Sequence, residues 1–277
     1  MKHIDVKEIV KSKDYVGKEV TVCGWVRTSR NSKSVAFVEL NDGTSLKNVQ
    51  VVIEKGEGDY KEPRVGMSLK VVGNVVEGRN NTVEINAVPE GITVLGDCPT
   101  DYPLQKKGHS LEFLRSIPHL RSRTNTFNAV WRVRSVLAAA LHEFFQKNNY
   151  VYINTPLITG SDCEGAGEMF QVTTNGYTTE FKNEEEYYAN DFFGKKAGLS
   201  VSGQLEGEMA ATAMGKIYTF GPSFRAENSN TPKHLAEFWH IEPEVAFAEL
   251  DDVIEIAEDM LKYVIGKLLE LCPDEVA

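Results

Sequence analysis

The stretch KIYTFGPSFRAENSNTPKHLAEFWHIEPEVAF, residues 216–247, decides the fold of the C-terminal half of this chain. Apolar and polar residues alternate on both sides of a polar loop at residues 228–237, which is typical of a β-hairpin. Because successive side chains of a strand point to opposite faces, Arg225 and Glu227 share one face. The return strand presents four further residues on a single face: Phe238, His240, Glu242 and Glu244. The opposite face is apolar and aromatic, so we expect it to pack on a core.

The polar face of this predicted hairpin combines side chains that suit one kind of ligand. An arginine can bind a carboxylate or a phosphate with two donors, and a carboxylate can accept a hydrogen bond from an amine. A flat phenylalanine ring can stack on a base, and the loop residues Lys233 and His234 suit a polyphosphate. A solvated face is the alternative, which an exposed phenylalanine among charges disfavours. The sequence therefore predicts a nucleoside triphosphate site on a sheet.

The same residues carry a resemblance to a known family. FRAEN, followed by His234 and AEF, resembles motif 2 of the class II aminoacyl-tRNA synthetases, whose pattern is Phe-Arg-x-Glu, a loop, His or Arg, and Phe. The surrounding residues resemble the asparagine branch of the aspartate, asparagine and lysine subgroup. The resemblance implies that Arg225 bridges the α-phosphate of ATP and the amino-acid carboxylate. It also implies that Glu227 reads the adenine amino group, His234 meets the outer phosphates and Phe238 stacks on adenine.

Composition places the chain among globular proteins. Its 277 residues are 42% hydrophobic, which suffices for one large domain or two. It holds no run of about 18 apolar residues, so we expect no membrane span. Four scattered cysteines without a C-x-x-C pair, and a charged N-terminus, favour a reduced, cytoplasmic protein. Although the net charge is −10, residues 1–126 are mildly basic, which is compatible with RNA binding by that part.

The N-terminal part consists of a predicted short helix at residues 4–12 and then a series of short strands. Five runs rich in valine and threonine, separated by Asn- and Gly-rich turns, read as strands: residues 19–27, 35–40, 48–53, 68–76 and 82–88. Five strands in so short a segment predict a small β-barrel, for which an OB-fold is the best candidate. Such barrels often stack single-stranded RNA on aromatic side chains, although a purely structural barrel is the alternative.

The family resemblance implies that residues 1–100 form an OB-fold anticodon-binding domain. It implies that Phe37 stacks on the middle anticodon base and that Gln50 and Glu84 hydrogen-bond to the edges of that base. Arg27 is assigned nearby, on the RNA backbone or a base. A buried Phe37 remains the alternative if the strand register is shifted by one residue.

Residues 101–126 are predicted to form a hinge, and residues 127–277 to form the N-terminal part of an α+β catalytic domain, an antiparallel sheet flanked by helices. The hinge carries a basic cluster suited to minor contacts with tRNA phosphates: Arg115, His119, Arg121 and Arg123. Apolar spacing predicts a helix at residues 127–148, followed by a strand at 150–155 that Pro156 ends. Helix, strand and proline resemble motif 1, which implies a homodimer; ordinary core packing would give the same spacing.

The amino-acid site is assigned mainly by the resemblance. In the loop SDCEGAGEMF, residues 161–170, the resemblance implies that Glu164 contacts the substrate ammonium. Ser202 and Gln204 are assigned to the main-chain end of the substrate. Gly207 stands where aspartate enzymes of the family carry a lysine. We therefore expect Glu208 to accept a hydrogen bond from a carboxamide and to repel aspartate. Glu242 is assigned to the same site.

Motif 3, Gly-x-Gly-x-Gly-x-x-Arg, is missing from the sequence, as are the acidic Mg²⁺ ligands of the family, which we expect beyond residue 277. No metal ligand is assigned here. We expect this chain alone not to make an adenylate. The implied activity of the parent is ATP-dependent activation of asparagine and its transfer to tRNA-Asn. The alternatives are an aspartate or relaxed enzyme, an enzyme that makes asparagine, which the barrel disfavours, and a non-catalytic tRNA-binding module.

Overall fold

The computed structural model describes residues 2–56, 61–163, 165, 167–229 and 231–277. Contacts divide the chain into two units: Met1–Ser135 together with Leu271–Ala277, and Val136–Glu270. Each unit has its own hydrophobic core. Within the described ranges, no helix combines the length and apolar character that crossing a bilayer requires.

The first unit contains a closed barrel of five strands. The strands are β1 (Glu19–Asn31), β2 (Val35–Asn41), β3 (Val49–Glu54), β4 (Ser68–Glu77) and β5 (Val83–Ala87). They are hydrogen-bonded in the order β1-β2-β3-β5-β4, and β4 pairs back to β1 and closes the ring. The prediction of a five-stranded OB-fold barrel is confirmed. A sixth strand, β6 (Ile92–Gly96), was not predicted; it pairs with β4 and alternates half-buried and exposed residues.

Alternation along the strands fills the barrel. Every second residue of β1 and β2 is buried inside, from Val20 to Val26 and from Ala36 to Leu40. Helix α1 (Val6–Lys11) adds Val6 and Ile9, which are fully buried in the same core. The carboxylate of Asp42 accepts a hydrogen bond from the Val6 backbone N–H at 2.8 Å, so the β2–β3 loop anchors the start of α1.

The predicted hinge contains two short helices, α2 (Leu111–Ser116) and α3 (Pro118–Arg121). Ser110 caps α2 by accepting from the Phe113 backbone N–H at 3.2 Å. Helix α4 (Asn125–Lys147) follows and includes the boundary between the two units. The predicted helix at residues 127–148 is therefore present.

The second unit is built on a three-stranded sheet in the order β11-β10-β7, formed by β7 (Val151–Ile153), β10 (Lys216–Phe224) and β11 (Glu237–Val245). Strands β10 and β11 form the predicted antiparallel hairpin, whereas β7 pairs with β10 in parallel. The short strands β8 (Ile158–Thr159) and β9 (Gly198–Leu199) make a separate antiparallel pair.

Helices pack on the aromatic face of this sheet, as the hairpin pattern predicted. The Phe145 ring of α4 stacks on fully buried Tyr218 of β10, with ring centroids 4.7 Å apart. The unit also contains α5 (Glu184–Ala189), α6 (Gln204–Met214) and α7 (Leu250–Leu271), and α8 (Pro273–Val276) follows α7 in the first unit. On α7, Val264 is buried, whereas Ile254 and Leu261 are exposed.

Candidate functional site

Arg225 and Phe238 lie side by side on the polar face of the β10–β11 hairpin. Arg225 comes directly after β10, and its backbone N–H continues the ladder by donating to the Ala236 carbonyl at 3.0 Å. Phe238 pairs with Ser223 in the strand register. The Arg225 guanidinium carbon lies 5.5 Å from the centroid of the Phe238 ring. The hairpin thus presents a cation and an aromatic plate on one surface.

These two residues line a cavity of about 390 Å³ together with the hairpin loop. All four residues that the sequence assigned to ATP take part in the lining: Arg225, Glu227, His234 and Phe238. Lys233 lines it as well, so the cavity has cationic groups at its loop end. Its volume lies in the ~300–1,000 Å³ range of small-molecule sites. The polar face therefore forms a concave surface of the size a nucleotide requires.

The guanidinium of Arg225 suits an anionic ligand. Its Nε is buried and has no hydrogen-bond partner among the described residues. A buried donor without a partner is costly, and a carboxylate or phosphate oxygen would satisfy it.

The glycine-punctuated loop packs against the same hairpin. The Ala226 backbone N–H donates to the Glu168 carbonyl at 2.7 Å, and the Glu168 N–H lies 3.3 Å from Glu227 Oε1. A Cβ on Gly167 would meet Glu227 Oε1 at 2.7 Å, so a larger residue there would displace the Glu227 carboxylate. Glu164, assigned to the substrate ammonium, lies outside the described residues.

Glu242 holds the segment that leads into α6. Its carboxylate accepts hydrogen bonds from the Ser202 hydroxyl, from the Gly203 backbone N–H at 3.1 Å and from the Thr219 hydroxyl at 3.1 Å. The Gln204 backbone N–H in turn donates to Ser202 Oγ at 3.1 Å. These bonds fix the start of α6 on the polar face of the sheet.

Gln204 extends this network to Glu208. The Gln204 side-chain amide donates to Glu208 Oε1 at 2.9 Å across the first turn of α6. The structure thus connects four of the five residues assigned to the amino acid, namely Ser202, Gln204, Glu208 and Glu242. Glu208 is exposed, and Glu242 is half-buried on the polar face.

Gly207 has a packing role that the sequence did not indicate. It is buried between α6 and the sheet, and a Cβ there would lie 3.3 Å from both Glu244 Cγ and Ile217 Cδ1. Close approach of the helix to the strands therefore favours glycine at this position, independently of any selection against lysine.

His240 lies on the polar face, between Phe238 and Glu242 along β11. Its Nδ1 is 3.2 Å from Glu242 Oε1 and 3.2 Å from Ser223 Oγ. Burial lowers the pKa of His240; nearby Glu242 opposes this and Arg225 adds to it. The neutral imidazole is therefore favoured at pH 7. The sequence placed His240 on the polar face but gave it no role.

On the barrel, three of the four residues assigned to RNA share one face. Glu39, Gln50 and Glu84 stand in one row, because Glu39 pairs with Gln50 and Gln50 pairs with Glu84. Phe37, two residues from Glu39 on β2, shares that face and is 41% exposed, so the shifted register is excluded. We name this surface, defined by these four residues, the Phe37 face.

Arg27 lies apart from the Phe37 face. The β1–β2 register shifts between Val26 and Thr28, so Arg27 is an extra residue in a β-bulge. Its guanidinium instead donates to the backbone carbonyl of Arg123. Arg30, which pairs directly with Phe37, is the arginine at the edge of that face. A bulge has no strong signature in a single sequence, so counting along β1 could not reveal this difference.

The described residues do not form a metal site. Within the described ranges, no group of three or more His, Cys, Asp or Glu side chains is placed to hold a metal ion. The cavity at Arg225 has a single carboxylate, Glu227, beside the cationic Arg225 and Lys233, whereas Mg²⁺ prefers several oxygen ligands. These residues therefore do not fit a Mg²⁺ site.

Comparison with known proteins identifies the family. Residues 110–276 match the family described as "tRNA synthetases class II (D, K and N)", and residues 20–95 match "OB-fold nucleic acid binding domain". The chain belongs to the class II tRNA synthetases of the D, K and N group. The hairpin with Arg225, Glu227 and Phe238 therefore lies in the region that matches the synthetase family, and the barrel lies in the region that matches the OB-fold domain.

Several relatives of this class II synthetase chain are asparagine enzymes. It is 53% identical to the asparagine–tRNA ligase of Phocaeicola vulgatus over 278 residues, covering 98% of the chain and 59% of that protein. It is also 53% identical to that of Acetivibrio thermocellus, covering 100% of the chain and 61% of that protein. Asparaginyl-tRNA synthetase from Pyrococcus horikoshii, solved with asparaginyl-adenylate, superposes with a TM-score of 0.80 at 26% identity, covering 100% and 60% of the two chains. The chain spans about 60% of the length of these relatives.

Proposed function

We propose that this chain carries the ATP-, asparagine- and tRNA-binding surfaces of an asparagine–tRNA ligase. The single observation that carries the proposal is the cavity in which the Arg225 guanidinium lies 5.5 Å from the Phe238 ring, with Glu227 and His234 in the same lining. The asparagine–tRNA ligases among its relatives match nearly the whole chain.

In this proposal, adenine stacks on Phe238 and its amino group donates to Glu227. Lys233 and His234 meet the outer phosphates, and Arg225 binds the α-phosphate and the amino-acid carboxylate through its fork of donors. The unpartnered Nε of Arg225 supports this assignment, because an anion would satisfy it. The roles match those that the family resemblance implied.

The first step is an in-line displacement at phosphorus. A carboxylate oxygen of asparagine forms a bond to the α-phosphorus, the bond to the bridging oxygen breaks, and pyrophosphate leaves. Arg225 aligns the two anions and stabilises the charge that develops, so catalysis rests on positioning and electrostatics and needs no side-chain nucleophile. In the second step a terminal ribose hydroxyl of tRNA attacks the acyl carbonyl and AMP leaves.

Selection of asparagine over aspartate rests on acidic groups near the start of α6. Glu208 and Glu242 belong to one hydrogen-bonded network with Ser202 and Gln204. A neutral carboxamide donates to such carboxylates, whereas a second carboxylate is repelled. Ser202 and Gln204 hold the main-chain end of the substrate, and Glu164 meets its ammonium group.

The Phe37 face is proposed to read the anticodon of tRNA-Asn. An exposed aromatic ring offers a stacking surface for one base, and Gln50 and Glu84, adjacent in the register, offer hydrogen bonds to base edges. This reading differs from the sequence-based prediction in one respect, because Arg30 rather than Arg27 lies beside Phe37.

We further propose that the protein works in the cytoplasm as a homodimer formed through motif 1. Strand β7 and the residues that follow expose apolar side chains that a partner subunit would cover: Val151, Tyr152, Leu157 and Ile158. In an isologous dimer the same surface of each subunit covers that of the other, and these apolar residues would form such a surface.

The experiment is ATP–pyrophosphate exchange by the product of the complete reading frame, with asparagine or aspartate as the amino acid. We expect exchange with asparagine and none with aspartate. Equal exchange with both would favour the relaxed enzyme, and exchange with aspartate alone the aspartate enzyme. A protein that binds tRNA-Asn without any exchange would be the non-catalytic binding module.

A further inference from the structure

The bulge at Arg27 leads to a second cavity, within the first unit. Because Arg27 is the extra residue of β1, its guanidinium faces the segment before α4, where it donates to the Arg123 backbone carbonyl. The cavity beside it has a volume of about 190 Å³. Its side-chain lining includes Trp25, Arg27, Tyr102, Leu104, Arg123 and Asn128.

Two guanidinium groups meet at this cavity, and no acidic side chain lines it among the described residues. Arg123 Nη1 donates to the Tyr102 hydroxyl at 3.2 Å, and the guanidinium carbon lies 5.8 Å from the ring centroid of Tyr102. In the described part of the chain, neither Arg27 nor Arg123 forms an ion pair with a carboxylate. Two like charges are thus held together without neutralisation.

Arg27 retains an unused donor. Its Nε is buried and has no hydrogen-bond partner among the described residues. Burial lowers the pKa of Arg27; Tyr102 opposes this and Arg123 lowers it further. An arginine does not lose its proton in proteins, so Arg27 stays positively charged and the free-energy cost of burying this charge is not offset. An anion in the cavity that Arg27 lines would neutralise this charge.

We propose that the cavity between Arg27 and Arg123 binds a phosphate group. Guanidinium forks match the geometry of phosphate oxygens. The volume of about 190 Å³ exceeds the ~10–15 Å³ that one water molecule requires and falls below the ~300–1,000 Å³ of drug-sized ligand sites. This size fits a phosphate group and excludes a whole enclosed nucleotide. The phosphate comes either from an RNA backbone, with Trp25 free to stack on an adjacent base at the rim, or from free phosphate.

The first test measures the thermal stability of the 277-residue chain in sodium phosphate and in sodium chloride at equal ionic strength. Phosphate also stabilises proteins non-specifically, so the readout is the difference between variants. We expect phosphate to raise the Tm of the wild type by about 2–4 °C more than that of Arg27→Gln or Arg123→Gln. Lys11→Gln removes a positive charge from an exposed position of α1, outside this cavity, and should respond as the wild type does.

The second test identifies the source of the phosphate by titrating single-stranded RNA at several salt concentrations. If an RNA phosphate occupies the cavity, Arg27→Gln and Arg123→Gln each reduce the slope of log affinity against log salt by about 1. An unchanged slope, with the phosphate response lost, assigns the site to free phosphate. The RNA source rests on the proposed function, whereas the phosphate response does not, so the two can fail separately.

An equal phosphate response in the wild type, Arg27→Gln, Arg123→Gln and Lys11→Gln would overturn the proposal. Arg123 is exposed, so its substitution keeps the test valid even if the variant at half-buried Arg27 folds poorly.

Discussion

The Arg225 guanidinium carbon lies 5.5 Å from the centroid of the Phe238 ring, across the mouth of the β10–β11 hairpin. The guanidinium that would bind a phosphate and the ring that would stack on a base therefore lie on one surface, in the cavity that Glu227 and His234 also line. Because Arg225 directly follows β10 and Phe238 lies on β11, the antiparallel pairing of the hairpin brings the two residues together. Each functional prediction for this unit depends on that register.

Arg225→Ala should weaken ATP binding strongly. Hydrogen bonds to charged groups contribute about 1.5–3 kcal/mol each, so losing even one donor lowers affinity by about 10- to 100-fold. Isothermal titration calorimetry with ATP measures the effect, and Arg115→Ala, outside the cavity, is the control. Unchanged ATP affinity in Arg225→Ala would show that the guanidinium does not contact the nucleotide.

Gly207→Ala should stabilise α6 less than alanine does at an open helix position. The added methyl would lie 3.3 Å from Glu244 Cγ and Ile217 Cδ1, so these side chains must shift to admit it, which offsets the gain in helix propensity. The control is Gly266→Ala within α7, where a Cβ meets nothing within 4 Å. There alanine should stabilise the helix by about 0.5–1 kcal/mol. Urea unfolding would contradict this packing account if Gly207→Ala raised the unfolding midpoint as much as Gly266→Ala does.

Acid should weaken a contact between α4 and α7. A hydrogen bond from Lys147, and a second from Tyr263, lower the pKa of Glu143 from its ordinary 4.5 to about 2. Since the folded pKa is the lower one, the carboxylate stabilises the fold above pH 4.5, and this contribution is lost as the pH falls towards 2. Glu143→Gln should therefore lower the Tm at pH 7 and converge with the wild type in acid.

The control for Glu143 is Glu258→Gln, because Glu258 pairs with Lys262 inside α7 alone, at 2.7 Å. Its effect on the Tm at pH 7 should be smaller, since exposed pairs within one helix contribute little. A larger effect for Glu258→Gln would refute the role given to the contact between the helices.

Phe37→Ala should remove recognition of the middle anticodon base. Stacking on an aromatic side chain contributes about 1–3 kcal/mol per base. Filter binding should show that the wild type prefers tRNA-Asn over a transcript with an altered middle base and that the variant does not. Phe113→Ala removes a similarly exposed ring from α2 and should keep the preference. Equal discrimination by wild type and Phe37→Ala would exclude the stacking role.

The sequence predicted those features that depend on a regular period. Alternation by two placed Arg225 and Phe238 on one face and Phe37 on the outside of the barrel, because both strands run without interruption at those points. Arg27 was assigned from the family resemblance rather than from the period, and the bulge places its guanidinium against the Arg123 carbonyl rather than on the Phe37 face.

Other features depend on packing that periodicity does not specify. Helix α7 has apolar residues on two sides, and spacing alone could not show that Ile256 and Met260 pack on the core while Ile254 and Leu261 are exposed. The tight approach at Gly207 is a contact between elements distant in sequence. Strand β6 is short and half-exposed, so its pattern was too weak to predict.

The most direct test of the central claim compares ATP with inorganic tripolyphosphate in calorimetric titrations of the wild type, Phe238→Leu and Trp239→Leu. Leucine at position 238 keeps an apolar side chain but removes the ring, whereas Trp239 lies on the opposite face of β11. If adenosine phosphates bind across Arg225 and Phe238, Phe238→Leu weakens ATP by about 1–3 kcal/mol and leaves tripolyphosphate unchanged, and Trp239→Leu alters neither. Unaltered ATP binding in Phe238→Leu, or an equal loss for both ligands, would contradict the account.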